Sequence, residues 1–147
     1  MTRVDFYQLS RDPLLKAVPL LAQRVLNAGE RLLIVAQDEG LLKRLSDALW
    51  SAGEGAFLAN GFAHDPHAER QPILLSTDCA PANGAQIILL ADGQWRAEAE
   101  GFDRVLLMFD AKATDAARDL WRSLAPREDI DNRINKQNEQ GGWREGR

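Results

Sequence analysis

Reactive residues are scarce in this sequence. Cysteine occurs once, at Cys79, which excludes an internal disulfide and a zinc site built on cysteines. Histidine occurs only as the pair His64 and His67, and a metal held there would need further ligands from Asp65, Glu69 or distant residues. We read the pair as part of a polar surface loop and expect no metal site. No apolar run approaches the roughly 20 residues of a membrane-crossing helix. Positive charge is not in excess either: 18 Lys and Arg stand against 22 Asp and Glu, for a net charge of −4. That balance argues against a protein whose main task is to grip nucleic-acid phosphates, although a local basic patch remains open.

Phosphate-binding glycines are missing as well. The first two strand-to-helix connections read Ser10-Arg11-Asp12-Pro13 and Gln37-Asp38-Glu39-Gly40, and neither is a glycine-rich loop. Asp12, Asp38 and Glu39 would repel a phosphate there. Gly53 and Gly55 follow a helix instead of a strand. Ser10, Ser51 and Ser76 lack the surround of a nucleophile elbow, and Cys79 has no histidine beside it in sequence. The expected cofactor is none. The segment Met1 to Asp12 carries Arg3 and Asp5 and no secretion-type apolar stretch, so the expected address is the cytoplasm.

What the chain does have is the alternation of buried strands and amphipathic helices. Its 147 residues suit one domain with a sizeable core. Val4–Leu9 reads as a first strand. Pro13 to Ala17 reads as a helical turn, and Pro19 as the fresh start of a main helix to Asn27, with Leu20, Leu21 and Val25 facing the sheet and Gly29 as its stop. Arg31–Ala36 is a second buried strand. Asp38 caps a second helix, whose apolar face is Leu41, Leu42, Leu45, Ala48 and Leu49, closed by Trp50 and ended by Gly53 and Gly55. Phe57-Leu58-Ala59 reads as a short strand and Asn60 to Gln71 as a polar loop. Ile73–Ser76 and Gln86–Leu90 are further strands, and Asp92-Gly93 is a turn. Successive strand–helix steps predict an α/β fold: a single-domain, mostly parallel twisted sheet with helices on both faces.

The stretch Phe102–Leu124 organises the rest. Val105 to Phe109 is an unbroken apolar run, as in a strand covered on both faces. After it, Ala113, Ala116, Ala117, Leu120 and Leu124 form one helical stripe, while Arg118, Trp121 and Arg122 stand at i, i+3 and i+4 on an adjoining one. Two readings of that second stripe stand. Trp121 is a half-buried core residue and the arginines pair with Asp115 and Asp119, or the indole and guanidiniums together hold a short acidic, aromatic-tipped peptide. Pro126 stops the helix. The α/β domain therefore spans 1–126, and 127–147 is a polar tail that lies along a sheet edge with Trp143 as anchor, or is mobile.

Beyond periodicity, the landmarks Phe6-Tyr7, Pro19-Leu20, Gly29-Glu30-Arg31, Leu49-Trp50, Phe57-Leu58, Asp103-Arg104-Val105, Phe109-Asp110, Ala117-Arg118, Trp121-Arg122 and Lys136 to Trp143 occur in an order and spacing that resembles the chi subunit of bacterial DNA polymerase III. The chain departs from that pattern at Asn60, where the family commonly has histidine, and at Ile134-Asn135, where it has an aromatic pair. The resemblance implies a mononucleotide-binding-like fold without nucleotide, and an accessory, non-catalytic protein of the clamp-loader assembly. It implies two partners, the acidic C-terminal tail of single-stranded DNA-binding protein and the psi subunit, with DNA reached only indirectly and no membrane. By motif, the tail site falls on Arg118, Trp121 and Arg122. The alternative from another class is a nucleotide-dependent or hydrolytic enzyme on a Rossmann-like fold.

Overall fold

The computed structural model describes residues 1–9, 13–51, 58–137 and 143–146. In chain order the elements are β1 (Thr2–Gln8), α1 (Leu14–Asn27), β2 (Leu32–Val35), α2 (Glu39–Trp50), β3 (Asn60–Phe62), β4 (Ile73–Ser76), β5 (Ile87–Leu90), β6 (Arg104–Phe109), α3 (Thr114–Leu124), β7 (Ile130–Gln137) and β8 (Trp143–Gly146). They build one sheet in the order β3-β4-β2-β5-β6-β1-β7-β8. The first seven strands are mutually parallel, and β8 pairs antiparallel on β7. The α/β class and the parallel sheet read from the sequence are those of the structure.

Alternation along each strand divides the core into two layers. Leu32 and Ile34 of β2, with Tyr7, Leu75, Leu89 and Met108, pack against Val18, Leu21 and Val25 of α1 and Leu42, Leu45 and Leu49 of α2. Leu33 and Val35, with Phe6, Ile88, Leu107 and Phe109, pack beneath Ala117, Leu120, Trp121 and Leu124 of α3. Two helices thus cover one face and α3 covers part of the other. No helix of the described residues is long and apolar enough to cross a membrane.

Three local readings are corrected. Pro19 does not divide the first helix; α1 runs through it from Leu14. Proline removes one i→i−4 hydrogen bond, and the carbonyl it leaves belongs to Leu15, an exposed residue that water can reach. Pro19 itself is buried. That phase turns Leu20 outward, 53% exposed, while Leu21 and Val25 face the core as expected. The third correction concerns the strand expected at 57–59. Leu58 and Ala59 are outside any strand, and β3 is Asn60–Phe62, inside the presumed loop. Its start is fixed by a buried polar contact that hydropathy does not reveal: Ser46 Oγ of α2 donates to Asn60 Oδ1, and Asn60 Nδ2 donates to the Leu58 carbonyl at 2.9 Å. Gly61 follows because an added Cβ would lie 2.9 Å from the Gln71 side chain. Residues 52–57, which include Gly53, Gly55 and Phe57, lie outside the described residues.

Polar side chains hold the ends of the central strands. Asp38 caps α2 by accepting from the Gly40 amide at 2.9 Å. Asp92, just after β5, accepts from the Gln37 and Gln94 amides and from both terminal nitrogens of Arg96. Burial opposes ionisation of this carboxyl, but the Arg96 guanidinium and the two amides outweigh it and hold it below the usual carboxylate range. In mid-sheet, the fully buried carboxylate of Asp5 lies 2.6 Å from Arg104 Nε and 3.0 Å from Arg3 Nε.

Candidate functional site

Open parallel sheets bind ligands outside the carboxyl ends of their strands, where successive crossovers leave on opposite faces. Here that point lies between the neighbours β1 and β6. The chain leaves β1 through α1 on one face and leaves β6 through α3 on the other. A groove of about 270 Å³ opens there, at the ends of β1, β6 and β7 and under the first turns of α3.

Its walls come from three parts of the chain. Helix α3 contributes Thr114, Arg118 and Trp121. Strands β1 and β6 contribute Phe6, Gln8 and Phe109, and β7 contributes Ile134 and Lys136. Trp121 is half-buried and meets Phe6 edge-on with ring centroids 5.1 Å apart. Its backbone carbonyl accepts from Asn132 Nδ2 at 3.2 Å, which ties α3 to β7. The indole therefore belongs both to the core beneath α3 and to the wall of the groove.

The cations are available. Arg118 is 59% exposed, and its nearest carboxylate, Asp115, stands 4.0 Å away and almost entirely in solvent. A pair so long and so hydrated contributes little. Lys136 is exposed at the opposite rim, placed there by the register that sets Gln8 beside Lys136. Arg122 is exposed and has no ion pair among the described residues, but it lies outside the groove lining, one turn down the helix. The structure brings Arg118 and Trp121 together and sets Arg122 apart. The positive end of the α3 dipole adds to the same field.

Sequence reasoning missed Lys136, Ile134 and Phe6 as groove residues. The usable signal was the Lys136 to Trp143 segment, which stood out as a landmark but had no partner strand. The tail residues 130–137 and 143–146 form β7 and β8, and Trp143 meets Tyr7 edge-on at 5.0 Å.

Elsewhere, a larger cavity of about 580 Å³ lies between α2 and the ends of β3 and β4. Glu39, Lys43 and Asp78 give its rim mixed charge, and His64 on its edge stacks on Phe62 at 5.5 Å. His64 is highly exposed and 3.8 Å from Asp65. Among the described residues no group of three or more His, Cys, Asp or Glu could hold a metal. Cys79 is half-buried, and burial pushes its thiol pKa up, away from the reactive thiolate.

With this geometry in place, the sequence profile of the family described as "DNA polymerase III chi subunit, HolC" matches residues 1–128, from β1 through α3. No single curated protein matches the chain.

Proposed function

The chain belongs to the DNA polymerase III chi subunit family, and from that premise we propose that this accessory subunit holds the acidic C-terminal tail of single-stranded DNA-binding protein in the groove under α3. It thereby links that protein to the clamp-loader assembly of the polymerase. The observation that carries the reading is the pair of solvent-exposed cations, Arg118 and Lys136, on either side of an apolar slot walled by Trp121, Phe6 and Ile134. A tail that ends in carboxylates and a phenylalanine needs that combination. Arg118 can grip a carboxylate with two parallel N–H bonds, Lys136 supplies a point charge, and the ring of the phenylalanine lies against the indole. Arg122, outside the slot, attracts the acidic residues that precede the chain end.

A contact of this size has a dissociation constant on the order of micromolar. Tails displayed in an array on single-stranded DNA raise the effective concentration without any new contact, so this subunit meets DNA through its partner. The psi subunit, the second partner, belongs to the same proposal, as does a cytoplasmic address. Away from the groove, Leu20 on α1 and Trp50 on α2 are, among the described residues and Met1 aside, the large apolar side chains most in solvent.

Fluorescence anisotropy with a labelled tail peptide tests the proposal. Binding should saturate in the micromolar range and weaken roughly tenfold between about 0.05 and 0.3 M salt, because the cations are solvent-exposed and screened. Absence of saturation, or an affinity indifferent to salt, contradicts it.

A further inference from the structure

On the face of the sheet opposite the groove, a second cavity of about 230 Å³ lies between the C-terminal half of α1 and strands β5, β6 and β1. Its floor is apolar, made by Leu21, Val25 and Leu106, and its polar lining is Tyr7, Arg24 and Arg104. All three polar groups present donors. Arg104 Nη2 donates to the Tyr7 hydroxyl oxygen at 3.2 Å, which leaves the hydroxyl proton unassigned. Arg104 Nε donates to Asp5, and the remaining guanidinium N–H groups have no acceptor among the described residues. Arg24 is exposed, and its side chain has no ion pair or hydrogen bond among the described residues.

Charge points the same way. No carboxylate lines the cavity. Asp5, behind it, is shared between Arg104 and Arg3, so its negative charge faces two guanidiniums before Arg24 is counted. We propose that this cavity is a binding site for a small anion: a carboxylate or phosphate group on a short apolar body, with the anionic end on Tyr7, Arg24 and Arg104 and the body on Leu21, Val25 and Leu106. The volume lies below the roughly 300–1,000 Å³ of drug-sized sites, which excludes a whole nucleotide. The site is independent of the groove under α3, and its occupancy does not depend on peptide capture.

Tyr7 is the sole tyrosine of the chain, so protein labelled with ¹³C at the tyrosine ring gives one reporter signal inside the cavity. Benzoate, phenyl phosphate, inorganic phosphate and the neutral analogue benzyl alcohol are titrated against it at constant ionic strength. The expected result is a saturable shift with benzoate and phenyl phosphate at low-millimolar concentration, and none with benzyl alcohol. Arg24→Ala, at an exposed position that leaves the core intact, should weaken that binding at least fivefold, and Arg24→Lys should restore part of it. A response to inorganic phosphate alone would assign the site to free phosphate and overturn the apolar half of the proposal. No response to any anion, an equal response to benzyl alcohol, or unchanged binding in Arg24→Ala would overturn it altogether.

Discussion

Arg118→Glu is expected to weaken capture of the acidic tail about a hundredfold while leaving the fold untouched. The guanidinium is 59% exposed and its one ion-pair partner among the described residues is a solvated carboxylate at 4.0 Å, so its replacement removes almost nothing from stability. Its contact with a tail carboxylate is different. A hydrogen bond to a charged group contributes roughly 1.5–3 kcal/mol, and each 1.4 kcal/mol or so is tenfold in affinity. Alanine at 118 should therefore cost at least tenfold, and glutamate more, because a like charge then faces the peptide. Trp121→Ala should also cost tenfold or more, but its reading is less clean. Trp121 packs on Phe6 at 5.1 Å and on the core under α3, so truncation destabilises the helix as well as the wall. Anisotropy titrations paired with thermal melts separate these cases. Equal affinity of wild type and Arg118→Glu would place the peptide elsewhere.

The second large effect concerns stability and is asymmetric. Arg104→Ala is expected to cost about 3 kcal/mol, whereas Asp5→Asn should cost about 1 kcal/mol. The Asp5 carboxylate has no exposure, while the side chains of Arg104 and Arg3 are 32% and 35% exposed. Without Asp5, both guanidiniums can turn to water. Without Arg104, a buried negative charge loses its shortest ion pair, and the Tyr7 hydroxyl loses its donor. For a chain of this length the first change lowers Tm by roughly 6–12 °C and the second by a third of that. Calorimetry at neutral pH decides the matter, and equal losses, or a larger one for Asp5→Asn, would contradict this account of the network.

These two cases show where the sequence is informative. Strands buried on both faces betray themselves as unbroken apolar runs, so Leu32–Val35, Ile87–Leu90 and the strand ending at Phe109 are legible without coordinates. The Asp38 cap is local chemistry and is legible for the same reason. Pro19 misleads because its cost falls on the carbonyl of Leu15, an exposed residue, while the proline itself is buried. Strand β3 hides because it opens on a buried polar residue, Asn60, bonded to Ser46 of α2, and carries no apolar alternation.

For the groove, the helical half shows in the i, i+3 spacing of Arg118 and Trp121. The strand half does not, because β7 carries only Ile130 and Ile134 as large apolar residues, four apart. Both lie on the face toward α3, with Lys136 two residues further along that face. Its pairing with β1 spans more than 120 positions of sequence, and register over such a separation has no local signature. The profile match also ends at residue 128, before β7 begins.

The central claim is that a chain end is received beside Trp121, and the indole N–H signals of the four tryptophans test it directly. In a ¹⁵N-labelled sample assigned by Trp121→Phe, addition of the acidic tail peptide should shift the Trp121 signal in a saturable way and leave Trp50, Trp95 and Trp143 in place. A peptide lacking its terminal phenylalanine should produce little of that shift. Movement confined to another indole, or a Trp121 signal that stays still while the peptide binds, would contradict the account.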